Sequence, residues 1–199
     1  MTRIVERDEA VQMLLDGVVV AVPTDTVYGV AASLAHRETV VSLFLLKDRP
    51  STMPLPVLTH ALNPIQEIDV EWGDMAQRLA EEFWPGALTI VVPASPELAA
   101  LVGGSTDTVA VRVPDDELLL SVLRECGPLA VTSANSHGAP PCHSAQEVLR
   151  SLAGEHLAAV LDGGERRGEV SSVIQVGDAS WRVVREGAVS AARIASVLD

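Results

Sequence analysis

Aromatic side chains are nearly missing from this sequence: two Phe, three Trp and one Tyr make up 3% of 199 residues, within a hydrophobic share of 48%. The core must therefore be built mainly from Val, Leu, Ala and Ile, and few rings remain on which nucleic-acid bases could stack. Cysteine is as scarce, and Cys126 and Cys142 are too few and too loosely placed for a disulfide framework or a zinc site. No apolar run approaches the roughly 18 residues that read as a membrane span. The N-terminal Met-Thr-Arg-Ile-Val-Glu-Arg has no signal-peptide apolar region. These absences lead us to expect a soluble, reduced, cytoplasmic protein. Positive charge is short as well: 14 Lys and Arg against 27 Asp and Glu leave a net charge of −13. That balance argues against an extended nucleic-acid surface, which needs an excess of cations, but not against a small basic pocket.

Three signatures of common chemistry are absent too: G-x-x-x-x-G-K-[ST], a strand-borne G-x-G-x-x-G and G-x-S-x-G. Gly103-Gly104 and Gly163-Gly164 read as loop glycines. His137, Cys142 and His143 lack the spacing of metal ligands, so no metal held by protein side chains is expected.

What is present begins with one stretch. The apolar run at 18–22 reads as a buried strand and ends in Pro-Thr-Asp-Thr-Val-Tyr-Gly at 23–29. A polar cluster at the end of a buried strand is where open α/β sheets place ligands. One predicted helix later comes Lys-Asp-Arg-Pro at 47–50. Lys47 is the only lysine; the other 13 cations are arginines. An ammonium is a compact point charge and a guanidinium a planar fork, so a sequence this biased toward arginine keeps Lys47 where a point charge is needed, as on a phosphate.

Further elements follow from periodicity and end signals. Helices are predicted over 8–16 (capped by Asp8), 37–46, 74–83, 115–125, 144–152 (a Ser144–Glu147 capping box) and 190–198. Strands are predicted over 18–22, 55–59, 88–92, 108–113, 128–131, 158–161, 172–176 and 181–185, with Pro56 placed on an edge or at a bulge. The alternation gives an α/β layered single domain over 1–199, its sheet made mixed by the last strand pair. Arg112 stands out inside the alternating Thr-Val-Ala-Val-Arg-Val. An arginine there needs an anion to meet it, and its fork suits a carboxylate or phosphate. Lys47, Arg49, Arg112 and Arg185 converging in an acidic chain would make a basin for a polyanion and a separate carboxylate. An acid bound beside a nucleoside triphosphate suggests adenylation.

The sequence resembles the YrdC-like family of threonylcarbamoyl-AMP synthases in its short form, from about Arg7 to Val197. To the motifs at 23–29 and 47–50 it adds Pro-Leu at 54–55, Trp-Pro-Gly at 84–86, Val-Ala-Val-Arg at 109–112 and Ser-Ala-Asn at 133–135. Asp-Gly-Gly at 162–164, Ser-Ser at 171–172 and Arg-Glu-Gly at 185–187 complete the set. The resemblance implies a twisted mixed sheet flanked by helices around a concave, positively charged cavity. It implies the formation of L-threonylcarbamoyl-AMP and pyrophosphate from L-threonine, bicarbonate and ATP, with Mg²⁺. The product would be handed to the machinery of tRNA t6A37 modification.

Carried over, Lys47 and Arg49 would hold the ATP phosphates and act catalytically. Thr108, Ser133, Asn135, Cys142 and Arg185 would line the nucleotide site. Thr26, Arg112, Ser171 and Ser172 would bind threonine. Leu58 stands where a histidine is frequent, so a threonine contact would be lost or made by His60. Tyr28 is a candidate base toward the amine. The competing readings are another carbamoyl-adenylate former, as in hydrogenase maturation proteins, and a non-enzymatic RNA-binding module.

Overall fold

The computed structural model describes residues 2–47, 50, 53–61, 63, 67–104, 106–136, 138–152, 157–177 and 180–198. Its elements run β1 (Arg3–Val5), α1 (Arg7–Leu15), β2 (Val20–Val22), β3 (Gly29–Ser33), α2 (Arg37–Leu46), β4 (Val57–Leu58), α3 (Asp74–Phe83) and β5 (Leu88–Pro93). Then come α4 (Pro96–Leu101), β6 (Thr108–Arg112), α5 (Glu117–Cys126), β7 (Leu129–Ser133), α6 (Ala145–Leu152), β8 (Ala159–Leu161), β9 (Ser172–Val176), β10 (Trp181–Arg185) and α7 (Ala191–Leu198).

All ten strands join one sheet in the order β1-β8-β2-β3-β7-β4-β6-β5-β9-β10. The sheet is mixed throughout: parallel pairs (β1–β8, β8–β2, β4–β6, β5–β9) interleave with antiparallel ones. Antiparallel pairing is therefore not confined to the last two strands, as the sequence had suggested. Buried Val, Leu, Ala and Ile make up most of one continuous core cluster. Among the described residues no helix is long and apolar enough to cross a membrane.

Register decides which side chains share a face, because neighbours in the same row point the same way. Leu58 sits opposite both Arg112 and Leu129. From there the rows extend to Ser33, Ala31 and Gly29 on β3, to Val131 and Ser133 on β7, and to Ala110 and Thr108 on β6. They continue to Thr89, Val91 and Pro93 on β5 and to Val173 and Gln175 on β9. On this face Ala110, Val91, Pro93, Val173 and Gln175 are only half-buried, whereas Val109, Val111, Ile90, Val92, Ile174 and Val176 on the other are buried. Along β6, β5 and β9 one side is packed and the other is partly open, whereas β2, β3, β4 and most of β7 are buried on both sides.

The elements depart from expectation in instructive places. The predicted strand at 55–59 is only Val57–Leu58, and it lies inside the sheet between β7 and β6. Pro56 is thus neither at an edge nor at a bulge: it precedes the strand, where its missing N–H costs nothing, and its carbonyl accepts from Val131 N at 2.9 Å. Asp8 is not the cap of α1; Glu6 holds that position, without a side-chain bond, and Asp8 sits in the first turn. The α5 cap is Asp116, whose Oδ1 accepts from Leu119 N at 2.8 Å. At α6 the Ser144 hydroxyl accepts from Glu147 N at 3.3 Å, but Glu147 bonds back to the amide of His143 rather than of Ser144. The short β1, the small-residue β3 and α4 were not predicted.

Candidate active site

The turn at 23–28 is shaped by Thr24. Its hydroxyl donates to Val27 O (2.7 Å), accepts from the amides of Thr26 (3.1 Å) and Val27 (3.2 Å), and lies 2.9 Å from Thr26 Oγ1. One short side chain so replaces the backbone partners the turn lacks. Tyr28 then anchors the far end. Its amide donates to Cys142 O (2.9 Å), its carbonyl accepts from Ala134 N (2.8 Å), and its buried hydroxyl sits between Gly164 O, Asp162 Oδ1 and the Gly163 amide. Burial, foremost, raises the Tyr28 pKa above its ordinary value. At neutral pH the phenol is protonated, and its hydroxyl is engaged by Gly164 O, Asp162 and the Gly163 amide.

Arg112 projects from the open face with 6% of its side chain exposed, and the anion that meets it is Asp25, from the same turn. Arg112 NH2 lies 2.6 and 2.7 Å from the two Asp25 oxygens. NH1 reaches Thr26 Oγ1 at 3.3 Å and Nε donates to Gly86 O at 2.8 Å. Burial pulls the guanidinium pKa down, Asp25 pulls it up, and nearby Arg185 lowers it again. Gly86 also donates to Val113 O, so the Trp-Pro-Gly turn brackets the arginine from both sides.

Ser171 and Arg185 complete this group. The Arg185 guanidinium donates to Ser171 O (2.7 and 3.2 Å) and Ser171 Oγ (3.1 Å), and Ser171 Oγ is 3.0 Å from Thr89 Oγ1. Arg185 is exposed, and desolvation by the surrounding protein lowers its pKa. Ser172 points to the packed side, and its hydroxyl is engaged with Val189 as donor (2.6 Å) and acceptor (3.0 Å). It closes the fold while Ser171 faces the open side.

At the other end of the turn, Lys47 caps α2 with 4% of its surface exposed. Its ammonium donates to Ser133 O (2.6 Å), Asn135 O and Asn135 Oδ1 (3.2 Å). Asn135 in turn donates to Ser136 O and Ala139 O. Ser133 is paired with Gly29, so Lys47 and the 23–29 segment are gripped by the same strand end. Cys142 is buried beside them; burial raises its pKa, and Ser151 and Lys47 are among its neighbours. Thr108 lies on the open face toward its rim, bonded to Thr106 Oγ1 at 2.9 Å. Arg49 and His137 lie outside the described residues. His60 is turned to Glu67, with Nδ1 2.7 Å from its carboxylate.

The structure thus brings Thr26, Arg112, Ser171 and Arg185 together, and Lys47, Ser133, Asn135 and Cys142 together, on either side of one turn. Sequence reasoning passed over Asp25 and Thr89. It also passed over Arg166, which pairs with buried Asp116 at 2.9 Å and ties the segment 162–171 to α5. Only the Asp25 position inside the quoted motif could have flagged it.

That segment crosses the turn closely. A Cβ on Gly168 would run into Asp25 O and come within 2.7 Å of Thr26 Cα. Gly168→Ala is expected to push the segment off the turn, with overpacking of ~1–3 kcal/mol; a fall in melting temperature checks it. Cys126 gives a control away from the site. Burial pushes its thiol up to about 11, so thiolate is scarce at pH 8. Iodoacetamide should leave it unmodified in the folded protein, the rate rising as pH approaches 11.

The fold and these clusters define an α/β protein whose polar and charged side chains gather around one turn against a mixed sheet. The Sua5/YciO/YrdC family model, described as telomere recombination, matches residues 12–187, and the chain belongs to that family. A Mycobacterium tuberculosis relative is 39% identical over 190 residues, covering 95% of this chain and 87% of the relative. The Bacillus subtilis threonylcarbamoyl-AMP synthase is 35% identical over 193 residues, 96% of this chain and 56% of that protein. Among solved structures, Pyrococcus abyssi Sua5 complexed with L-threonine superposes with a TM-score of 0.90 at 32% identity over 99% of this chain. This chain spans 60% of that one.

Proposed function

We propose that the protein is an L-threonylcarbamoyladenylate synthase, working in the cytoplasm and converting L-threonine, bicarbonate and ATP to threonylcarbamoyl-AMP and pyrophosphate. The observation that carries the reading is the meeting of buried Arg112 with Thr26, Asp25, Ser171 and Arg185 on an open strand face, across one turn from buried Lys47. The names of the relatives and the threonine complex of the Pyrococcus structure support it.

Arg112, backed by Thr26 and Ser171, would hold the amino acid. Lys47 and Arg49 would face the triphosphate, with Ser133, Asn135, Cys142, Thr108 and Arg185 around the nucleotide. Threonine and bicarbonate condense to a carbamate. A carbamate oxygen then bonds to the α-phosphorus as the bond to the β-phosphate oxygen breaks and pyrophosphate leaves. Mg²⁺ would arrive with the triphosphate as part of that substrate. Positioning and charge neutralisation suffice for such a displacement, and no covalent nucleophile is required. The product is a mixed anhydride suited to handover to tRNA-modifying proteins.

Pyrophosphate release with ATP tests this, varying the amino acid and withholding bicarbonate. Release that requires both threonine and bicarbonate is expected. Release without threonine would point to another carbamoyl-adenylate former, and no release under any condition would overturn the reading.

A further inference from the structure

Asp25 is bonded to Arg112 in a way that neutralisation alone does not explain. Both Asp25 oxygens sit on one terminal nitrogen, NH2, while NH1 is turned to Thr26 Oγ1 and Nε to Gly86 O. A carboxylate that served only to pair the arginine would gain most by straddling the two-nitrogen fork. Here NH1 is turned to a hydroxyl instead. Burying such a pair, with side chains 6% and 14% exposed, adds little net stability.

The cluster also carries more positive than negative charge. Arg112 reaches Gly86 O, and next to it Ala87 O accepts from the amide of Ser172, whose neighbour Ser171 holds Arg185. Two guanidiniums therefore flank one turn of chain, and among the described residues Asp25 is the carboxylate bonded into it. A free amino acid is the complement of this pattern. Its carboxylate needs the cations, and its ammonium needs an anion at the distance of one carbon.

Resting on the function proposed above, we infer that Asp25 receives the amino group of threonine while Arg112, with Arg185 beside it, takes the carboxylate. The carbon–nitrogen step balances as R–NH₃⁺ + HCO₃⁻ → R–NH–COO⁻ + H₂O + H⁺. The carbamate nitrogen keeps one hydrogen, which still donates to Asp25. Repulsion between like charges then turns the new carboxylate away from Asp25. Asp25 so selects an amino acid over a hydroxy acid and sets the plane in which the carbamate forms.

Calorimetric binding of L-threonine and of its deaminated analogue, 2,3-dihydroxybutanoate of matching configuration, tests this. Wild-type protein should prefer threonine strongly. Asp25→Asn should weaken threonine by about 30-fold, the worth of a charged hydrogen bond, leave the analogue within about twofold and change the ATP requirement little. Equal loss for both ligands would mean that Asp25 merely supports Arg112, and would overturn the inference. A wild-type protein that binds both equally would overturn it even if Asp25→Asn fails to fold. A wild-type protein that binds neither and releases no pyrophosphate would instead sink the enzyme assignment itself.

Discussion

Lys47→Ala is expected to lower the rate of pyrophosphate release by about 10²–10³-fold, the range seen when preorganised charge stabilisation is removed. With its three N–H groups engaged by Ser133 and Asn135, Lys47 acts as a fixed positive charge and not as a hydrogen-bond donor to phosphate. The ammonium is buried and fixed by Ser133 O and by both oxygens of Asn135. Three acceptors converging on one nitrogen suit a compact point charge. A planar guanidinium cannot present three hydrogens to a single spot in a site so closed. Lys47→Arg should therefore lose nearly as much as Lys47→Ala, and an arginine variant with full activity would refute the argument. The alanine variant also leaves desolvated oxygens unpaired at about 1–3 kcal/mol each, so melting temperatures must accompany the kinetics. The structural part appears as instability, and the functional part as a loss of rate in protein that is still folded.

Arg112→Ala should raise the threonine requirement by about 100-fold, in keeping with loss of a charge-assisted bidentate contact, while the ATP requirement moves only a few-fold. The single variant strands Asp25 in a nearly buried position, a loss of about 3–5 kcal/mol. Adding Asp25→Asn removes that stranded charge. The double variant should recover much of the thermal stability and none of the threonine binding. Equal effects on threonine and ATP in the folded variants would contradict the role given to Arg112.

Much of this was legible in the chain because strand ends announce themselves. Val-Val-Val-Ala-Val running into Pro23, and Arg112 breaking an alternating strand, are local signals. They mark two segments that the fold brings together. What stayed hidden depends on pairing at a distance. Gly-Val-Ala-Ala-Ser at 29–33 has little β-propensity of its own, and becomes a strand because β2 and β7 flank it. Val57–Leu58 is legible as part of the strand at 55–59, but its interior place follows from neighbours more than 50 residues away. Asp25 was invisible for the opposite reason: aspartate is an ordinary turn residue. Only folding the turn over β6 shows that it answers the very arginine whose burial had called for an anion. Ser171 and Ser172 could not be told apart in sequence either; a one-residue step across the pleat sends one toward Arg185 and the other into the packing.

The open face of the sheet has a consequence for how the enzyme must move. Its floor includes Ala110 and Ser133, both half-buried and held in strand ladders. The roof is the 23–28 turn with the crossing chain at 162–171, clasped at Tyr28 and Arg166. Traffic in and out would then fall to that roof, and the contact between Tyr28 and Gly164 becomes a latch whose loosening would set the pace of exchange.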